Sequence, residues 1–195
     1  MKKLLYLLMI TIAFQTAVYA DNETDMHQYY IEQIIKTQNV KYNERSFFNA
    51  IYSGNIELVN MFLKAGMTPD TTYVKVPAIY WAITNNQLRV TKLFLDNGAD
   101  PNAYYGGYTP LFLAIKNKDA QIVEELINHG ADVNKEVNNV KPLQYAVQKQ
   151  ESKIVELLVD AGAKADHEVL LRALKSNDSH IKNLVLKRYK TQQEL

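Results

Sequence analysis

Residues 109–130 read TPLFLAIKNKDAQIVEELINHG, and this stretch decides the fold. Thr109 can cap a helix whose first residue is Pro110, a position at which the missing N–H costs nothing. The polar turn 117–119 separates this short helix from a second one. The second helix has one apolar face, formed by Ile122, Val123, Leu126 and Ile127. Gly130 can adopt the left-handed conformation that ends many helices, so the stretch predicts two short antiparallel helices.

The same pattern recurs every 32 residues. The phased glycines are Gly66, Gly98, Gly130 and Gly162. The phased alanines, each followed by a β-branched residue, are Ala50, Ala82, Ala114 and Ala146. Apolar pairs keep the same register at Phe62-Leu63, Phe94-Leu95, Leu126-Ile127 and Leu158-Val159. A period of this length predicts a solenoid of stacked helix pairs.

Three short motifs identify the type of repeat. They are Thr109-Pro110-Leu111, the block GADPNA at 98–103 and the block GADVN at 130–134. With these motifs the chain resembles the ankyrin-repeat family over about residues 47–186. The resemblance implies an all-α solenoid in which short β-turn fingers join successive helix pairs.

Some units depart from this pattern. Pro77 of the second unit comes one place early and Lys141 replaces the capping threonine of the fourth, so both helix starts should be less well capped. The first unit ends in a degraded block, GMTPD at 66–70. Ala173 follows Ala146 by 27 residues, so residues 166–190 are interpreted as a C-terminal cap. An extra helix at 24–37 is expected to cap the first unit.

The first twenty residues have the three-part pattern of a secretory signal. Lys2 and Lys3 precede an apolar run at 4–14, and residues 17–20 (AVYA) suit signal peptidase. The run has eleven residues, whereas a membrane-spanning helix needs about 20, so a retained anchor is the weaker alternative. The chain has no cysteine to carry a lipid anchor. We expect cleavage after Ala20, no membrane insertion afterwards, and localisation in the periplasm of a Gram-negative bacterium or outside the cell.

The predicted domains are a signal peptide at 1–20, a capping helix and lead-in at 21–46, four repeats at 47–165, and a truncated capping repeat with a tail at 166–195. Without residues 1–20, 20 of the 22 basic residues remain against 21 acidic ones, a formal charge of −1. Nucleic-acid binders are usually more basic, so no nucleic-acid partner is expected. The basic cluster at 187–190 is typical of a solvated helix end.

No motif for catalysis, metal binding or cofactor binding is present. None of the four histidines belongs to a zinc motif, and the lack of cysteine excludes a thiolate site. The glycines do not form a phosphate-binding loop or a nucleophile elbow. We predict no catalytic residue, no cofactor and no metal, and we expect His129 to cap helix carbonyls.

Fingers and first helices should line a concave surface, which is where repeat proteins bind partners. The predicted partner-binding positions on first helices are Tyr52, Thr84, Asn85, Lys116, Asn117, Gln148 and Lys149. These positions vary between units, although an ordinary solvated helix face is the alternative. The predicted positions on fingers are Tyr73, Tyr104, Tyr105 and Tyr108, because tyrosine is enriched among interface hot spots. About half of these rings should instead pack back onto the fold.

These observations predict an exported module, monomeric when free, that binds a protein partner and is not an enzyme. Resemblance to exported bacterial ankyrin proteins implies an immunity or inhibitor protein against an envelope toxin, or an accessory protein that supports a partner enzyme. Release to act on a host protein is a third role. The alternatives are a scaffold without a specific ligand and an enzyme that uses Lys116, Asp119 and His129 on the concave face.

Overall fold

The computed structural model describes residues 23–194, so the predicted signal peptide lies outside the described part. The described residues contain eleven helices and one short hairpin, and the chain forms two compact units that divide between Thr68 and Pro69. No helix among residues 23–194 is long and apolar enough to cross a membrane.

The first unit contains three helices, α1 (Glu23–Gln38), α2 (Glu44–Ser53) and α3 (Ile56–Lys64). Helix α1 occupies the segment in which the sequence predicts an extra helix, and it packs against α3. Phe47 and Phe62 are fully buried at the centre, with ring centroids 5.5 Å apart. Tyr42 stacks on Phe62, and its hydroxyl donates to the Ala65 carbonyl at 2.6 Å, which ties the segment before α2 to the end of α3.

The second unit begins with a hairpin and continues as four helix pairs. The hairpin strands are β1 (Thr72–Tyr73) and β2 (Val76–Pro77), which pair antiparallel. The first helices of the pairs are α4 (Ala78–Thr84), α6 (Pro110–Lys116), α8 (Pro142–Lys149) and α10 (His167–Leu174). The second helices are α5 (Leu88–Asp96), α7 (Ala120–Asn128), α9 (Ser152–Asp160) and α11 (Ser179–Gln193). First helices contact first helices and second helices contact second helices along the stack.

The phased residues of the sequence have the roles that their spacing predicts. Ala82, Ala114 and Ala146 have no exposed surface, because neighbouring helices pass close to these small side chains. All four phased glycines have positive φ, between 83° and 98°, and each follows the C-cap residue of the second helix of its unit. They end those helices in the left-handed conformation, as the sequence analysis expects.

The first helices differ in how well their N-termini are capped, as the departures from the repeat pattern at Pro77 and Lys141 predict. Thr109 caps α6, because its side-chain oxygen accepts the Phe112 N–H at 3.2 Å. Pro77 offers no side-chain cap to α4. Lys141 has no acceptor to offer α8 either, but the Gln144 side chain reaches back to accept the Lys141 N–H at 3.3 Å. The start of α8 is therefore partly compensated by its own third residue.

The C-terminal helix makes structural contacts that the sequence analysis misses. Arg188, in the basic cluster interpreted as a solvated helix end, donates from Nε to the Ala163 carbonyl at 3.0 Å and from Nη2 to the Gly162 carbonyl at 2.9 Å. Gln192 accepts the Ala165 N–H at 2.9 Å. The interpretation of this cluster as merely solvated is wrong for Arg188, whose guanidinium satisfies carbonyls in the chain after α9.

Thr91 in α5 is a buried polar residue whose hydroxyl is not satisfied. Its side chain is fully buried, and its Oγ1 has no hydrogen-bond partner in the part of the chain that the structure describes. A buried hydroxyl without a partner costs about 1–3 kcal/mol, and valine has nearly the same shape. We therefore expect Thr91→Val to raise the free energy of unfolding by about 1 kcal/mol. Urea denaturation measures this, with the exposed Thr84→Val as the control, and a less stable Thr91→Val variant would contradict it.

Candidate functional site

Three fingers precede the first three helix pairs of the second unit: finger 1 (69–77), finger 2 (99–109) and finger 3 (131–141). In each, two residues oppose each other as an antiparallel pair on either side of a two-residue loop. The loops are Val74-Lys75, Gly106-Gly107 and Asn138-Asn139, and all six residues have positive φ. This is the hairpin turn for which glycine and asparagine are best suited. Fingers 2 and 3 have those residues, and finger 1 does not.

Finger 1 therefore has an unfavourable backbone at its tip. Val74 has φ of 53°, a conformation that strains a β-branched residue, and 75% of its side chain is exposed. Tyr104 on finger 2 is also exposed, to 58%. Two neighbouring fingers thus present large apolar side chains to solvent, while the tip of finger 3 carries only polar residues.

Asn102 fixes the position of finger 2 on the next finger. Its Nδ2 donates to the Gly130 carbonyl at 3.0 Å, and its Oδ1 accepts the Asp132 N–H at 2.7 Å. Asp100 accepts the Asn102 N–H at 2.8 Å, which closes a tight local turn. In the next copy of the motif, the Asn134 Oδ1 accepts the Lys164 N–H at 2.8 Å. The aspartate of each block therefore shapes its own finger, and the asparagine joins that finger to the following segment.

Tyr80 holds finger 2 from beneath. It lies on α4, is 3% exposed, and its hydroxyl lies 2.9 Å from the Ala103 carbonyl and 3.0 Å from the Tyr108 carbonyl. Burial raises the pKa of the Tyr80 phenol, so the hydroxyl stays protonated and able to donate. Its ring also meets the Tyr105 ring edge-on, with centroids 5.3 Å apart. Finger 2 is thereby fixed to the helix of the preceding pair.

Five side chains from finger 2, α6 and α8 form a continuous group that we name the aromatic–lysine cluster: Lys116, Tyr108, Phe112, Tyr145 and Lys149. The Phe112 ring lies 6.0 Å from Tyr108 and 5.0 Å from Tyr145, centroid to centroid. Lys116 Nζ lies 4.5 Å above the Tyr108 ring and 3.3 Å from its hydroxyl. Lys149 Nζ lies 5.3 Å from the centroid of Tyr145. The cluster spans two adjacent helix pairs.

Comparison with known proteins agrees with this geometry. A family model of ankyrin repeats, in three copies, matches residues 79–169, the region from α4 to the start of α10. Residues 79–169 are ankyrin repeats. Ankyrin repeats generally mediate protein–protein interaction and are typically not enzymes. A search of the curated proteins found no match.

The predicted partner-binding residues on the first ankyrin helices divide into two groups. The exposed ones are Tyr52, Thr84, Lys116, Gln148 and Lys149. Tyr52 lies on α2 in the first unit and is 64% exposed. Asn85 and Asn117 are instead half-buried, with the Asn85 amide donating to the Trp81 carbonyl at 2.7 Å and the Asn117 amide to the Ile83 carbonyl at 2.9 Å. These two amides act within the ankyrin fold.

The predicted finger tyrosines are similarly divided. Tyr104 points into solvent, whereas Tyr73, Tyr105 and Tyr108 are half-buried against Trp81, Tyr80 and Phe112 respectively. About half of these rings were expected to pack back onto the fold, and three of the four do so. Tyr145 is not among the predicted residues, although its position in the repeat could have indicated it, since Tyr145 directly precedes a phased alanine as Trp81 does.

Lys116, Asp119 and His129, the residues of the alternative enzyme hypothesis, do not lie together. Asp119 caps the start of α7 by accepting the Gln121 and Ile122 N–H groups, and His129 follows its last residue. A nine-residue helix separates them by about 14 Å. Lys116 belongs to the aromatic–lysine cluster. Among residues 23–194, no group of His, Cys, Asp or Glu could hold a metal ion.

His129 caps its helix as the sequence predicts and also joins two ankyrin repeats. Its Nδ1 lies 2.8 Å from the Glu125 carbonyl, and its Nε2 lies 3.0 Å from Asp96 on α5. The hydrogen bond to the Glu125 carbonyl raises the pKa of His129, and the Asp96 and Glu125 carboxylates raise it further. The other charged group near His129 is Lys92, whose Nζ lies 2.7 Å from Oε2 of Glu125.

Because the folded pKa of His129 lies above its unfolded value, its contribution to stability is complete below the unfolded pKa and is lost as the pH rises through the folded pKa. We expect His129→Gln to destabilise the protein more at pH 5.5 than at pH 8. Urea denaturation of both proteins at the two pH values measures this, and His180→Gln is the control. An equal effect at both pH values would contradict this role for the imidazolium.

Proposed function

We propose that this chain is an exported module that binds a protein partner through the concave side of its ankyrin repeats, with recognition centred on finger 2. The observation that carries the proposal is the group of side chains that surrounds finger 2 and points into solvent. Tyr104, Lys116, Gln148 and Lys149 are exposed on neighbouring elements. An exposed aromatic next to fixed, charged side chains is typical of an interface that a partner covers.

Export is part of this proposal and rests on the N-terminal sequence. Residues 1–20 have the pattern of a cleavable signal, which would deliver the protein to the periplasm or the medium. Fractionation of the source cells, followed by N-terminal sequencing of the purified protein, tests this. The proposal expects an extracytoplasmic protein that begins at Asp21, and a cytoplasmic protein that retains Met1 would overturn it.

Two roles in the cell envelope fit a free, exported binding module. As an immunity or inhibitor protein it would cover the active surface of a toxin, and as an accessory protein it would support a partner enzyme. Action on a host protein after release is the third role. The identity of the bound partner distinguishes them, because an inhibited toxin, an assisted enzyme and a host protein differ in what happens to their activity on binding.

Affinity capture from native envelope extract tests the binding function. The structure guides the choice of variant, since Tyr105 and Tyr108 support the finger, whereas Tyr104, Lys116 and Lys149 can change without loss of buried contacts. The face variant is Tyr104→Ala, Lys116→Gln, Lys149→Gln. The matched control, on second helices, is Gln121→Ala, Lys153→Gln, Lys187→Gln.

The proposal expects a stoichiometric partner that the wild type and the control retain and the face variant loses. A partner that all three proteins retain would move the interface away from finger 2. Capture of nothing by any of them would favour a scaffold without a specific ligand.

A further inference from the structure

Charges are sorted between the two layers of helices in the second unit. The first helices α4, α6 and α8 carry two charged residues, Lys116 and Lys149, and no acidic one. All remaining charged residues in the helices of these three pairs lie on the second helices α5, α7 and α9, where acidic residues outnumber basic ones. The acidic residues are Asp96, Glu124, Glu125, Glu156 and Asp160, and the basic residues are Arg89, Lys92 and Lys153. The side formed by the first helices is therefore more positive than the side formed by the second helices.

Three acidic residues next to this side already have basic partners, whereas Asp100 and Asp132 accept backbone N–H groups of their own fingers. Glu136 on finger 3 lies 3.9 Å from the Lys141 Nζ. Glu168 on α10 pairs with Arg172 at 2.9 Å. Asp166 pairs with Lys141 at 2.5 Å. In contrast, the ion pairs found among the described residues include neither Lys116 nor Lys149. Two positive charges on this side thus lack a carboxylate within the described part of the protein.

These two ammonium groups are also held in place. Lys116 lies over the Tyr108 ring and Lys149 over the Tyr145 ring, and both rings pack against Phe112. A cation over an aromatic face keeps hydrogen-bond donors available on its open side, because an ammonium has three N–H groups. Groups that are positioned before binding lose less conformational entropy when a partner arrives.

We propose that the occupant of this surface is an extended acidic segment of the partner protein, which places two carboxylates on Lys116 and Lys149 and an apolar side chain beside Tyr104. This inference rests on the proposed function and specifies the chemistry of the partner. Neighbouring packed helices lie about 8–10 Å apart. An extended segment in the polyproline II conformation rises about 3.1 Å per residue with about three residues per turn, so side chains three residues apart share a face. The two carboxylates should therefore be about three residues apart.

A peptide display selection tests the proposal. Random 12-residue peptides on phage are selected on the purified full chain, expressed with its own N-terminal segment. The wild type should enrich peptides with two acidic residues about three positions apart. Lys116→Gln/Lys149→Gln should lose this enrichment, whereas Lys187→Gln/Lys190→Gln, the same change of charge on exposed positions of α11, should keep it.

An enriched peptide is then synthesised and its affinity measured by fluorescence anisotropy. Exposed ion pairs are weak individually, so the double variant should bind about 10-fold less tightly than the wild type and the control. Raising NaCl from about 50 to about 500 mM should weaken wild-type binding, because salt screens exposed charges.

Three results would overturn the inference, and they differ in what they say about the proposed function. Enriched peptides without an acidic pair, whose binding depends on Tyr104 but not on the two lysines, would leave the proposed function intact. No enrichment above an unrelated control protein would count against both. Tighter binding of a 12-residue thymidine oligonucleotide than of any peptide, lost in Lys116→Gln/Lys149→Gln, would replace the acidic peptide with single-stranded nucleic acid.

Discussion

Replacing Asn102 with alanine should lower the free energy of unfolding by about 2 kcal/mol. The side chain makes two hydrogen bonds to the start of the next finger and the residue before it, to the Asp132 N–H and to the Gly130 carbonyl, and alanine can make neither. Each such bond contributes about 1 kcal/mol net, and both backbone groups would lose the partner that the asparagine provides. Thermal and urea denaturation of the purified variant measure the loss.

Two controls separate the bridge from a general effect of removing an asparagine. Asn128→Ala changes an exposed asparagine in the last turn of α7 and should have little effect. Asn102→Asp keeps the acceptor for the Asp132 N–H but loses the donor to the Gly130 carbonyl, so its stability should lie between those of the wild type and Asn102→Ala. Equal stability of Asn102→Ala and the wild type would show that the bridge does not hold the fingers together.

Tyr80→Phe should destabilise the protein by about 1.5 kcal/mol, because phenylalanine keeps the ring but removes the hydroxyl that Ala103 and Tyr108 share. The two carbonyls lie at either end of the hairpin tip of finger 2, so the finger should also become more mobile. Hydrogen exchange at the Tyr105 and Tyr108 amides, which pair with each other across the tip, should accelerate.

Tyr104→Phe is the matched control for this experiment, because the Tyr104 side chain is 58% exposed. It should leave both stability and exchange unchanged. If Tyr80→Phe left the exchange of finger 2 at the wild-type rate, the hydroxyl would not be what fixes the finger to α4.

The fold could be predicted because each repeat contains residues whose physical role is local. The phased glycines take the left-handed conformation, the phased alanines are buried between helices, and Thr109 caps α6. These roles depend on neighbours within one unit or the next, so a 32-residue period reveals them. The division of the chain after Thr68 has no comparable signal in the sequence, and the helix pair α2–α3 lies outside the residues that the family model matches.

The surface was harder to predict because exposure depends on how each side chain turns. Tyr104 and Tyr105 are adjacent and chemically identical, but Tyr104 points outward and Tyr105 packs on Tyr80, since successive residues of an extended strand face opposite sides. Asn117 resembles a free recognition residue in sequence, whereas its amide donates to the carbonyl of Ile83 in the preceding repeat. Arg188 lies 25 and 26 residues from its two acceptors, a contact that no local pattern indicates.

The aromatic–lysine cluster contains residues that the sequence predicts and one that it does not. Lys116 and Lys149 were predicted from their positions on the first helices, but Tyr145 was not, and the contact of Tyr145 with Phe112 is what makes the cluster continuous. Phase alone places Tyr145 beside a buried alanine and does not tell whether its ring faces the core or the surface. The structure shows that it supports a surface lysine.

Site-specific photocrosslinking tests the central claim, that the finger side of the repeats binds the partner, most directly. A photoreactive phenylalanine replaces, one at a time, Tyr104 and Gln148 on the proposed face and Gln121 and Lys153 on the second helices, all of which are exposed. Each protein is irradiated in native envelope extract, and crosslinked species are identified by mass spectrometry. We expect one common partner to be crosslinked from Tyr104 and Gln148 and not from Gln121 or Lys153. The same partner crosslinked only from the second helices would contradict it.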